Sequence, residues 1–173
     1  MCAISWDYDR AMRLILFRSL RTPIAMSLLL MSLAAASADE VLIEGPKGKQ
    51  RLFATDLASL PQVEVTISDH GKPAVFSGVE LHVLLERVGM ATGEQLRGKE
   101  VAKSVVVEGS DGYLAVFSLA ELSPEFTDRK VILAVRRDGK PLSPEAGPFQ
   151  IAVEGEKKMA RCVRHVAVIR ITT

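Results

Sequence analysis

From Asp39 onward, short apolar runs are cut at close intervals by Gly, Pro and Asp, and that punctuation limits the fold more than any other feature. Val41-Leu42-Ile43 reads as a first strand, closed by the turn residues Gly45-Pro46-Lys47-Gly48. Val63, Val65 and Ile67 alternate with Glu64, Thr66 and Ser68, the period-two pattern of a half-buried strand, and Asp69-His70-Gly71-Lys72-Pro73 then turns the chain. Val105-Val106-Val107 and Tyr113-Leu114-Ala115-Val116-Phe117 flank Gly109-Ser110-Asp111-Gly112. This is a hairpin signal, because Asp-Gly readily takes the positive φ of tight turns. Val131 to Val135, Phe149 to Val153 and Val166 to Ile171 add three strands. Helices fit only as inserts. Thr55 stands where it would cap a short helix over Asp56-Leu57-Ala58-Ser59-Leu60, stopped by Pro61. A second helix, starting at Ser77 or Gly78, places Leu81, Leu84, Leu85 and Val88 on one face and ends at Gly89. Ser118 caps a helical turn over Leu119-Ala120-Glu121-Leu122. This order excludes a regular βαβ alternation and predicts an α+β domain with a mixed sheet and short inserted helices.

The front of the chain follows different rules. Arg13, Arg18 and Arg21 precede an apolar run from Ile24 to Ala36, and Ala36-Ser37-Ala38 supplies the small residues of a cleavage site. A basic flank, a short apolar core and such an ending describe a secretory signal peptide over 1–38. The run is shorter than the roughly 20 residues a membrane-spanning helix needs, so no stable span is expected. Asp7 and Asp9 sit oddly in a basic leader and make Met12 a plausible true start. The expected domain is therefore 39–173, periplasmic and monomeric.

That domain carries 18 basic and 19 acidic side chains, which argues against nucleic acid as a partner, since a polyanion needs a strongly basic surface. The charge is unevenly spread. Residues 39–128 hold 8 basic and 15 acidic groups, whereas 129–173 hold 10 basic and 4 acidic ones. Attraction between the halves of one fold accounts for this, and so does a cationic pocket for an anionic group. Cys162 has no second cysteine within the domain and reads as a small buried hydrophobe, with a nucleophilic role as the alternative. His70, His82 and His165 have no metal-ligand spacing, and His82 with Glu86 reads as an i,i+4 surface pair.

Four stretches carry a further signal. They are Tyr113-Leu114-Ala115-Val116-Phe117-Ser118-Leu119, Asp138-Gly139-Lys140-Pro141-Leu142, Gly147-Pro148-Phe149-Gln150-Ile151-Ala152-Val153 and Ala160-Arg161-Cys162-Val163-Arg164-His165-Val166. In that order and spacing, roughly 41–171 resembles the oxidoreductase molybdopterin-binding domain of the sulfite oxidase superfamily. The resemblance implies a sulfite oxidase-like fold and molybdopterin-dependent oxidoreductase chemistry. It also implies a molybdenum held by one cysteine thiolate upstream of a Gly-x-x-Leu-x-x-Leu-Leu helix. The helix motif is here as Gly78-Val79-Glu80-Leu81-His82-Val83-Leu84-Leu85, but Val65 to Gly71 contains no cysteine. Asp69 falls about where the thiolate would sit, and a carboxylate is a hard ligand where the family uses a soft one.

By the same resemblance, Tyr113 occupies the place of an active-site tyrosine whose phenol donates to an oxyanion, with local packing as the alternative role. Arg161 and Arg164 match the basic positions of the family's phosphate-holding motif, and Lys158 with Lys157 adds charge beside them. His165 stands where Trp is common, and Val153-Glu154-Gly155 replaces Val-Pro-Gly. The leader lacks the Arg-Arg pair of proteins exported folded with their cofactor, since Ser19-Leu20 separates Arg18 from Arg21. Together these features predict a degenerate, metal-free member. It would take no cofactor, although molybdopterin is what the family binds, and would act as a module for a small anionic ligand or an envelope protein partner. A molybdopterin oxidoreductase with atypical metal ligation is the alternative. Protein recovered from the cell envelope is expected to begin near Asp39, checked by N-terminal sequencing or intact mass. Retention of Ile24 to Ala36 would identify an anchor instead.

Overall fold

Alternation between buried and exposed side chains decides where the strands lie. A computed structural model describes residues 39–69 and 71–172, so the expected signal segment, the Met12 start and His70 lie outside the described residues. In chain order the elements are β1 (Glu40–Gly45), β2 (Gly48–Phe53), α1 (Ala54–Ala58), β3 (Val63–Asp69), β4 (Lys72–Glu80) and α2 (Leu81–Arg87). They continue with β5 (Ser104–Gly109), β6 (Leu114–Ser118), β7 (Val131–Arg137), β8 (Lys140–Pro141), β9 (Gln150–Val153) and β10 (Val166–Thr172). Short 3-10 turns occupy Gly93–Gln95, Ala120–Leu122 and Met159–Arg161. The architecture is α+β, as the pattern predicts.

The strands divide between two sheets. The first runs β2-β1-β10-β5-β6 and is mixed, because β1 lies parallel to β10 while its other pairs are antiparallel. The second runs β3-β4-β7-β8, with β9 also pairing β7, and is antiparallel throughout. Val41 and Ile43 of β1, Val105 and Val107 of β5, and Ala115 and Phe117 of β6 point inward. Val65 and Ile67 of β3 and Phe76 of β4 do so from the second sheet, and all join one apolar cluster. β7 from Val131 to Ala134 and all of β9 are buried without alternation, as expected of strands covered on both faces. Leu81, Leu84 and Leu85 of α2 are fully buried against them. No helix among the described residues is long and apolar enough to cross a membrane.

Three strands escape the sequence pattern, one of them the two-residue β8 in a connection rich in Gly and Pro. β2 (Gly48-Lys49-Gln50-Arg51-Leu52-Phe53) is an edge strand that buries only Leu52, so it leaves little apolar signal. β4 runs through Ser77 and Gly78, where the sequence suggests a helix start, and α2 begins only at Leu81. The glycine serves the sheet. A Cβ at Gly78 would collide with the Leu133 carbonyl of β7, and the β4–β7 register shifts between Ser77 and Gly78. In α1, Thr55 lies inside the helix. Asp56 reaches back to accept the Phe53 backbone N–H at 2.8 Å and so performs the capping.

The charge asymmetry is partly neutralised within the fold. Arg137 pairs with Asp69, Arg161 with Glu121 and Arg170 with Glu44, each bridging the basic and acidic parts of the chain. Replacing Leu84 by Ala is expected to cost roughly 2–5 kcal/mol, because it empties a fully buried site between α2 and the sheets. A shift of the denaturant midpoint measures this, and an unchanged midpoint would place the helix face wrongly.

Candidate functional site

The site grows from the ends of β3 and β7. Arg137, last in β7, sets its Nη2 2.8 Å from Oδ2 of Asp69, last in β3, and its guanidinium lies over the Phe76 ring at 5.4 Å. The hairpin after Arg137 is pinned from behind. Asp138 and Gly139 both take positive φ, at 50° and 74°, which a tight two-residue turn requires. The Asp138 N–H donates to the Val75 carbonyl at 2.7 Å, and its Oδ1 accepts the Val75 N–H at 2.9 Å. Lys140 is therefore presented from a fixed turn, and it is exposed.

The opposite wall is the segment leading into β10. Arg161 donates through Nε and Nη2 to Glu156 Oε2, at 2.9 and 2.6 Å, and through Nη1 to Glu121 Oε1 at 2.8 Å. Its guanidinium also covers the Phe117 ring at 5.0 Å. Burial opposes its charge, yet the carboxylates of Glu156 and Glu121 outweigh burial and hold it more firmly protonated. Tyr113, half exposed, donates its phenol to the Ala160 carbonyl at 2.7 Å. Arg161 and Tyr113 thus clamp the Met159–Arg161 turn against β6.

Arg164 behaves differently. It is exposed, makes no ion pair within 4 Å among the described residues, and lines two clefts. One cleft, of about 240 Å³, is formed with Asp111, Tyr113, Met159, Cys162 and Val163. The other, of about 460 Å³, is formed with Arg137, Lys140, Glu145 and Gln150 among others. Lys158 is exposed and lines neither cleft. Cys162 is 5 % exposed, and burial pushes its thiol pKa up, so the sulfur stays protonated at neutral pH. His165 takes an unusual φ of 49°. Its N–H bonds the Ala146 carbonyl and its own carbonyl accepts from Ser110 N–H, which fixes the approach to β10.

The structure therefore separates the residues suggested by sequence. Tyr113, Cys162 and Arg164 meet at one cleft. Arg161 sits nearby with its charge engaged, and Lys158 stands apart. Glu154, an anion in an otherwise basic stretch, turns away and accepts the Lys130 N–H at 3.1 Å. His82 pairs with Glu80 at 3.1 Å rather than with Glu86. Arg137, Lys140 and Gln150 were missed. The only hint was one polar residue in the apolar run Phe149-Gln150-Ile151-Ala152-Val153, and a pair of arginines ahead of a hairpin turn.

Comparison with known proteins follows the same frame. A profile of the oxidoreductase molybdopterin binding domain family matches residues 31–173. No curated protein matches. Among solved structures, the sulfane dehydrogenase SoxCD from Paracoccus pantotrophus superposes with a TM-score of 0.56 at 20 % identity. The match covers 76 % of this chain and 37 % of that one, so the present chain spans little more than a third of its relative and shares its fold. With the profile spanning most of its length, the chain belongs to the oxidoreductase molybdopterin binding domain family.

Proposed function

We propose that this chain is an exported, periplasmic member of the family that works without molybdenum, as a binding module for a small anionic ligand. The observation that carries the reading is the pairing of Asp69 with Arg137. The resemblance gives Asp69 the place of the thiolate, and here that place holds a carboxylate facing a guanidinium at 2.8 Å. A soft, sulfur-bound metal is poorly served by this donor set, because the hard carboxylate already has a cationic partner. The residues present do not fit a thiolate-held molybdenum, and no chemical step is routed through one.

The anion-binding half of the reading rests on Arg164, a cation on a cleft wall with no ion pair within 4 Å among the described residues, while Arg161 is consumed by Glu121 and Glu156. The module would act as a monomer, with no nucleic-acid partner; an envelope protein is the other class of partner compatible with its export. One observation favours a second reading, an oxidoreductase with atypical ligation. Cys162, the one cysteine among the described residues, lines the cleft beside Tyr113 and feels the charge of Asp69.

Elemental analysis of protein purified from its own envelope decides between them. The expected result is well under one molybdenum per chain, unchanged in Cys162→Ser. Full occupancy in the wild type would overturn the metal-free reading. Its loss in Cys162→Ser would assign the ligand to that thiol.

A further inference from the structure

We propose that the 460 Å³ cleft is the ligand site, and that it takes a short organic acid bearing a hydroxyl group: carboxylates at Lys140 and Arg164, the hydroxyl at Gln150. The inference rests on the binding-module reading above and adds to it the class of ligand and the residues that select it.

Gln150 carries the argument. It is the first residue of β9, paired with Ala134 of β7, and only 3 % exposed. It is one of two buried polar residues among the described ones. Its side chain lines the cleft and makes no hydrogen bond to any described residue. No polar side-chain atom of the described residues is both fully enclosed and unsatisfied, so the small exposed part of this amide faces the cleft. An amide so enclosed, with no hydrogen-bond partner among the described residues, has its bonding capacity open to whatever enters the cleft, water or ligand.

The surrounding charges define what enters. Arg137 is already engaged by Asp69, with Asp138 3.6 Å away. Lys140 and Arg164 make no ion pair within 4 Å among the described residues. Two carboxylates share the lining: Asp138, turned toward Arg137 and the Val75 N–H, and Glu145. The Ser143 hydroxyl holds Glu145 below the usual carboxylate range, with lesser help from Arg164 and His165, so it stays ionised. Lys140 and Arg164, which make no ion pair within 4 Å among the described residues, are the cationic groups left for an anion to meet. Leu142 and Ala146 supply apolar wall, which an inorganic oxyanion would leave unused. The volume falls within the roughly 300–1,000 Å³ typical of small-molecule sites. An amide both donates and accepts, which matches a hydroxyl better than it matches a second carboxylate.

The test is calorimetric titration of envelope-purified protein at low salt with malate, succinate and inorganic phosphate. Malate and succinate differ by one hydroxyl, and phosphate lacks the carbon chain. Malate is expected to bind about tenfold tighter than succinate, with phosphate weaker still. Gln150→Leu, which removes the amide at similar volume, should erase the malate preference without lowering the thermal midpoint. Lys140→Ala, an exposed change that leaves the core intact, should weaken both acids about tenfold. Equal binding of all three anions, or a malate preference that survives in Gln150→Leu, would overturn the ligand class. Absence of binding in a preparation shown to lack molybdenum would overturn this inference alone. Absence of binding in a fully molybdenum-loaded preparation would overturn the metal-free reading beneath it.

Discussion

Because β1 pairs with β10 in parallel, Leu42 against Val168 and Glu44 against Arg170, the first sheet cannot close until both ends of the domain are in place. Parallel neighbours need a long crossover, and here the crossover is nearly the whole domain. The loop-closure cost is met by burial of Val41, Ile43 and Ile169 in the common core, and an ion pair between Arg170 and Glu44 spans the two strands. Everything at the site inherits from this closure. With β10 seated between β1 and β5, the segment from Glu154 to His165 must cross the end of the second sheet and return to the first. That route lays Cys162, Val163 and Arg164 beside Tyr113 and opposite the β7–β8 hairpin.

Along that segment, two arginines three residues apart meet different fates. Arg161 finds carboxylates on both sides, Glu156 from its own turn and Glu121 from the turn after β6, with the Phe117 ring beneath. Its fork is saturated, so its effect on any ligand is exerted through the position of the turn. Arg164 has no carboxylate within ion-pairing distance among the described residues and keeps its field for the cleft. The difference lies in where Glu121 is brought by the β5–β6 hairpin, and no local feature of the sequence around 161–164 reports it.

The sequence is legible where one face of a strand is buried and the other is wet. β1, β3, β5 and β6 alternate cleanly, so their apolar residues name both the strand and the face. α2 is legible from its leucine stripe, but its start is not. Gly78 looks like a helix boundary only until the close approach of Leu133 is known. β2 hides because an edge strand buries a single residue. The site divides in the same way. Tyr113 and Arg164 stand in recognisable local patterns, while the meaning of Asp69 depends on Arg137, far along the chain, and that of Gln150 on the lack of a hydrogen-bond partner for its amide among the described residues.

On the proposed reading, this division also allots affinity and selectivity to different groups. Lys140 and Arg164 are exposed, so their attraction for an anion is screened by salt and poorly discriminating. Gln150 is enclosed, and a hydrogen bond made there has little water to compete with it. The cations then gather anions of many kinds, and the amide decides which one stays. Had residue 69 carried no charge, Arg137 would have lacked this counter-charge, leaving a stronger, less selective cationic field on the cleft. By pairing with Arg137, the carboxylate of Asp69 removes one cation from the cleft, so that an uncharged group buried in β9 gains weight in choosing the ligand.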